Sequence, residues 1–305
     1  MFDTRRMRLI GLALWVSLCL VNTHGCAANV KFPDPERIRS GQEAIIRLSD
    51  LIPNDKINSI EALLKIHEGK YIRQYDWDFG AHKIMIARQF GYLRVFIEVI
   101  ALDHKIGFSK ISITKLSPEL WSSFRKAFED LETHDSVQFT ERKYYIDYQY
   151  AFNEIAAFHY QSVSDQLGPM SQIDIASDLK NAYEYLVSPF ENSEVSETGC
   201  GYATEIPEGK AAMDILIKND RVDLIRNVLR GYNPGARILA AITLLRMQRH
   251  GLELEPETIN TIRVVGELRT PINVCEGIIK EGAKGKDVMR AFLDGKDAMH
   301  SFLTN

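Results

Sequence analysis

The chain has 305 residues, 45% of them hydrophobic and 26% charged, with 19 glycines, 10 prolines and a net charge of -4. That composition suits one large or two modest globular domains and excludes a collagen-like or wholly disordered chain. A mildly acidic protein has no electrostatic reason to bind phosphate backbones, so no nucleic-acid partner is predicted.

The first residues carry the strongest local pattern. Arg5, Arg6 and Arg8 precede Leu9 to Val21 (LIGLALWVSLCLV), an uncharged apolar run of thirteen residues. A small and polar stretch, Asn22 to Asn29 (NTHGCAAN), follows. Together these predict an export signal over 1–27, because a transmembrane helix needs about 20 apolar residues. Its removal takes away three arginines and one aspartate, so the net charge of -4 becomes -6. Gly25-Cys26 resembles the end of a bacterial lipoprotein signal, which implies a lipidated Cys26 and a membrane tether. Cleavage after Ala27 or Ala28 fits the small residues equally, so both cuts stay open. Either places the protein in the periplasm or cell envelope, or outside the cell. Cys19 and Cys26 belong to the leader or its edge, which leaves Cys200 and Cys275. In an oxidising compartment these predict a disulfide closing a loop of about 76 residues, worth on the order of 4 kcal/mol in the chain-entropy model.

Residues 28–42 contain two prolines and read as a tether. Ile57, Ile60, Leu63, Leu64 and Ile66 recur at helical spacing, with Gly69 as a stop. Alternation then predicts an antiparallel meander of His82–Gln89, Tyr92–Ala101 and Lys105–Thr114. In its second strand Leu93, Val95, Ile97 and Val99 point one way, and Arg94, Phe96, Glu98 and Ile100 the other. Ser117-Pro118-Glu119 starts a covering helix with Leu120, Trp121, Phe124, Ala127, Phe128 and Leu131 on one stripe. Strand character returns over 136–150, and a helix over 151–167. Ser171-x-x-Asp174 opens a further helix closed by Pro189. Residues 43–190 therefore read as one α+β domain, an antiparallel meander covered by helices, and 191–206 as a linker.

The remainder, 207–305, reads as an all-α helical domain. Asp220 to Asp223 caps a helix that Gly231 ends, Asn233-Pro234 starts the next, Gly251 stops it, and Pro256 begins a third. The turn Asn233-Pro234-Gly235-Ala236-Arg237, feeding the small residues of Leu239-Ala240-Ala241-Ile242, makes 211–268 similar to a HEAT or armadillo type of helical stack. That resemblance implies a packing scaffold and brings no catalytic residues.

Candidate chemistry is sparse. Gly282-Ala-Lys-Gly285-Lys286-Asp287 has a glycine pair too closely spaced for a phosphate loop and Asp287 where a hydroxyl should hold magnesium, so it reads as a solvated loop. Asp76, Asp78 and His82, with Asp103 and His104, offer oxygen and imidazole ligands at a spacing that fits no recognised metal site. Glu98 and Asp147 lie in strands and could pair as acid and base. Cys200 with a histidine is formally a thiol–imidazole pair, but the predicted disulfide competes with it. Eight aromatic rings fall within the 22 residues from Phe139 to Tyr160. Of these, Tyr144, Tyr148 and Tyr150 share one strand face with Ile146 and form a candidate contact face for a protein partner. The sequence thus predicts no catalytic residue, metal or cofactor. It predicts an exported, non-enzymatic interaction module with an unidentified protein partner. The alternative is a periplasmic or secreted hydrolase or other small-molecule enzyme.

Overall fold

The computed structural model describes residues 72–90, 93–102, 104–114, 137–141, 145–151, 153–191, 195, 206–276 and 279–295. The predicted leader, the tether, the helices over 43–70 and 117–131, Cys26, Asp103, Tyr144 and Cys200 lie outside them. The described part is α+β, with an antiparallel sheet of six strands and seven helices.

The sheet runs in the order β1-β2-β3-β4-β6-β5, with β1 at Ile72–Asp76, β2 at Ala81–Phe90, β3 at Leu93–Leu102, β4 at Lys105–Thr114, β5 at Val137–Glu141 and β6 at Tyr145–Ala151. The predicted meander is β2 to β4. One face carries Ile84, Ile86, Val95, Ile97, Val99, Ile111, Ile113, Ile146 and Tyr148, all buried. These are the alternate residues that the strand pattern points one way, and β-branched side chains pack well on such a pleated surface. On the opposite face, Ile100 and Phe108 are buried while Phe96 is exposed. That face is covered at one end by helix α1 (Asn153–Leu167). Where α1 crosses the sheet, β4 bulges: Ile100 pairs with Phe108 and Ala101 with Ile106, which leaves Gly107 as the extra residue. A Cβ at Gly107 would lie 3.2 Å from Ile155 Cγ2, so a glycine lets the helix approach. Strand β1 has no alternation to read and was not predicted. It is an edge strand whose Arg73, Gln74 and Asp76 are exposed, a polar composition that discourages further pairing.

The other helices are α2 (Ser177–Val187), α3 (Glu208–Lys218), α4 (Val222–Leu229), α5 (Pro234–Arg249), α6 (Pro256–Gly266) and α7 (Gly285–Leu293). The predicted starts of α5 and α6 coincide with the observed ones. Asn233 Oδ1 accepts the N–H of Ala236 at 3.1 Å, and its Nδ2 donates to the carbonyls of Ser188 and Glu191 at 3.1 and 2.9 Å. One buried side chain therefore caps α5 and anchors the end of α2. Asn233→Ala should cost about 2 kcal/mol, the upper range for a cap, because two further carbonyls lose a donor. Urea denaturation of the pure protein would measure it. Helix α2, by contrast, starts at Ser177 and not near Ser171. The buried Asn227 accepts the Ser171 N–H at 2.8 Å and donates to its carbonyl at 2.7 Å. That two-point clamp holds the Ser171 peptide away from the capping geometry its sequence suggests.

The expectation of an all-α C-terminal region needs correction. A hairpin, β7 (Pro271–Glu276) and β8 (Ile279–Lys284), separates α6 from α7. Ile272 and Val274 alternate into the core, but six residues give too short a run to stand out beside longer helices. Helices α3 to α6 have 11, 8, 16 and 11 residues and share one core, so no common unit repeats. That core also takes in Val163 and Leu167 of α1 and Leu179, Ala182 and Leu186 of α2. Packing therefore runs across the segment 191–206 without a break in the hydrophobic contact. Helix α1 belongs to both halves, with Ala156 against the sheet and Val163 and Leu167 in the helical core.

Candidate functional site

The seam between sheet and helices is aromatic. The Phe108 ring of β4 lies 5.8 Å from His159 and 5.2 Å from Tyr160, both on α1, and 6.1 Å from Phe190. Tyr232, in the turn before α5, stacks on Tyr160 at 4.0 Å and lies 6.5 Å from His159. His159 is 1% exposed, and neither ring nitrogen has a hydrogen-bond partner among the described residues. Burial first, and the nearby Arg237 charge second, pull its pKa down from 6.5 to about 4. Its neutral form is thus the folded form. The stability this contributes is present above pH 6.5 and is lost as pH falls through about 4. Burial, with the neighbouring Tyr232, raises Tyr160 to about 12.

Arg237 closes the helical side of the seam. It is 1% exposed, the largest fully buried side chain described. Its guanidinium donates to the Gly231 and Tyr232 carbonyls at 2.6 and 3.3 Å and to Asp78 Oδ2 at 3.0 Å. It also lies 5.2 Å over the Phe79 ring. Asp78 and Phe79 sit in the 3-10 turn Asp78–Gly80 that joins β1 to β2, where Phe79 takes a left-handed φ of 60°. A non-glycine residue there is strained, and the ring contact with Arg237 helps to hold it. Desolvation lowers the Arg237 pKa, and the Asp78 charge opposes that.

The sheet side carries a ladder of alternating charge. Lys83 of β2 meets Glu98 of β3 at 2.6 Å and lies 5.5 Å from the Trp77 ring. Glu98 is directly opposite Lys110 of β4 in the register. Lys110 lies 3.5 Å from Asp147 of β6 and 4.0 Å from Glu191. Lys110 and Asp147 are 7% and 1% exposed, so this end of the ladder is desolvated. Buried charges of this kind are retained only when paired.

The predicted site residues are scattered by this arrangement. His82 Nδ1 reaches Asp76 Oδ1 at 3.1 Å, but Asp76 is 90% exposed on the edge strand. Asp78 faces Arg237 and not His82. His104 stands exposed in the β3–β4 turn with a φ of 65°. Glu98 and Asp147 do share a sheet face, as an acid/base pair requires, but Lys110 lies between them. Tyr148 is 1% exposed, which removes it from the proposed contact face; it packs with Ile111 and Ile146 on the buried side. Tyr144 and the Tyr150 side chain lie outside the described residues. Cys275 is wholly buried in β7.

The glycine-rich segment is a strand-to-helix junction and not a loop. Gly282 to Lys284 lie in β8, and Gly285 opens α7. The N–H groups of Gly285 and Lys286, which a phosphate would need, donate to the Thr270 and Leu268 carbonyls at 3.1 and 2.8 Å. A Cβ at Gly285 would lie 3.2 Å from Ile238 Cδ1, so this glycine serves close packing. Among the described residues, no group of three or more His, Cys, Asp or Glu side chains could hold a metal ion.

Sequence reading missed His159, Lys110, Tyr232 and Arg237. Arg237 alone left a signal, a lone charge at the head of the otherwise apolar run PGARILAAITLL. No protein-family model, curated protein or solved structure matches the chain.

Proposed function

We propose that this is an exported cell-envelope protein that acts through contact with another protein and not by catalysis. The observation that carries this reading is that the ionisable groups are taken up by one another. Asp78 is bound to buried Arg237, Lys83, Glu98, Lys110 and Asp147 neutralise one another along one sheet face, and His82 contacts Asp76 at the exposed sheet edge. A hydrolytic site would converge such groups around one point. Apolar side chains on the helices remain for contact, notably Phe158 of α1, which is 60% exposed. Export rests on the N-terminal pattern, with lipidated Cys26 or cleavage after Ala27 or Ala28 as the two forms; among the described residues no helix is long and apolar enough to cross a membrane.

Cys200 is the proposed partner of Cys275. Val195, five residues before Cys200, is already tied to β7: the Cys275 N–H donates to the Val195 carbonyl at 3.1 Å, and the Val195 N–H to the Asn273 carbonyl at 2.9 Å. A bridge there would staple the segment after α2 to the hairpin.

Intact mass of the protein recovered from its cell envelope tests export directly. A chain beginning at lipidated Cys26, or at Ala28 or Asn29, supports it, and a chain retaining Arg5 and Arg6 overturns it. The same spectrum should gain the mass of two hydrogens when reductant is added. Catalysis is tested by substitution. His82→Ala and Asp76→Ala should leave stability unchanged within about 0.5 kcal/mol, since the pair is exposed. Neither should alter any turnover of ester, glycoside or phosphate substrates by the pure protein. A hydrolytic activity abolished by either change would replace this reading with the enzymatic one.

A further inference from the structure

We propose that His159 is an acid-responsive latch, which closes the seam between sheet and helical core when neutral and releases it on taking up a proton. The argument rests on where the imidazole sits. Helix α1 carries Ala156 into the sheet-side core and Val163 into the helical core, and His159 lies between them on the same helix. It touches a ring from each side, Phe108 of the sheet and Tyr232 of the helical part. Both nitrogens are buried in this packing with no acceptor among the described residues, so a second proton finds no counter-charge among them.

The charged and titratable groups on the surrounding elements do not rescue it. From the helical side come Arg237, a like charge for an imidazolium, and the Tyr232 hydroxyl. Asp78, from the turn between β1 and β2, is bound to Arg237. On the sheet side, Asp147 and Glu191 face Lys110. Tyr160, on α1 itself, stays neutral far above any pH at which His159 gains its proton. Among the described residues no acid meets a protonated His159, so it gains a partner by reaching water, through separation of α1 from Phe108 or Tyr232. Neutral histidine needs no such route, which makes the seam stable at neutral pH and weak in acid.

The experiment is amide hydrogen exchange on the full chain at pH 7 and pH 4.5, with rates corrected for intrinsic pH dependence. Opening of 156–163 and 228–237 should rise about fiftyfold in the wild type, from the linkage between the folded and ordinary histidine pKa values. His159→Phe, which keeps the ring and removes the proton site, should show no such rise while its carboxylates titrate as before. A parallel rise in both proteins overturns the proposal by assigning the acid response to carboxylates. Should the variant fail to fold, the imidazole of wild-type His159 decides by NMR. A titration midpoint well below 6 that coincides with the opening supports the latch, and a midpoint at or above 6.5 in the folded protein sinks it.

Discussion

Arg237→Met should lower the unfolding free energy by about 3–5 kcal/mol, the range for breaking a buried ion pair from one side. The Arg237 and Asp78 side chains are 2% and 5% exposed, so neither charge is rescued by water once its partner is gone. The loss has three parts. Asp78 is left as an uncompensated carboxylate, the Gly231 and Tyr232 carbonyls lose their donor, and Phe79 loses the cation against its ring. Adding Asp78→Asn to Arg237→Met should recover part of the loss, because a neutral amide tolerates burial better than a carboxylate. Arg237→Lys should fall between, since an ammonium cannot reach three acceptors with the fixed fork of a guanidinium. Urea denaturation of the four proteins measures all of this. A single-variant loss under 1 kcal/mol would put the pair in the class of weak surface bridges.

Phe108→Ala should cost a similar amount, about 3–5 kcal/mol, the range for a large aromatic removed from a core. Phe108 is 2% exposed and stands between His159, Tyr160 and Phe190, so no single neighbour can fill its volume. The two losses differ in pH dependence, and that difference is diagnostic. Removing the Phe108 ring opens His159 to water, which favours the imidazolium and moves its pKa up from about 4 towards the ordinary 6.5. The wild type loses stability as pH falls between those values, by about 3 kcal/mol in total for a histidine shifted that far. Phe108→Ala should be less stable at pH 7 yet lose less on going to pH 4.5. Denaturation midpoints at the two pH values, read with unchanged urea slopes, would establish the sign.

Much of the scaffold is legible in the sequence. Strands β2 to β4 follow from strict alternation, and the starts of α5 and α6 from Asn233, Pro234 and Pro256, because these signals act over a few residues. The misreadings each have a long-range cause. Ser171 has the spacing of a cap, but Asn227, 56 positions later, takes its peptide. Tyr148 has the side chain of an interface residue, but Ile111 across the register puts it in the core. Strand β1 and the hairpin β7–β8 are short and gain their order from pairing.

The sequence by itself determined the strand periodicities, the starts of α5 and α6 and the sheet face that had to be buried, all properties of neighbouring residues. Only the tertiary structure decided which charges meet. Asp78 and Arg237 are 159 positions apart, and Glu98, Lys110 and Asp147 join through strand register. Partner choice across such distances depends on how the whole chain closes, since burial makes a charge costly alone and tolerable only opposite the partner that folding delivers.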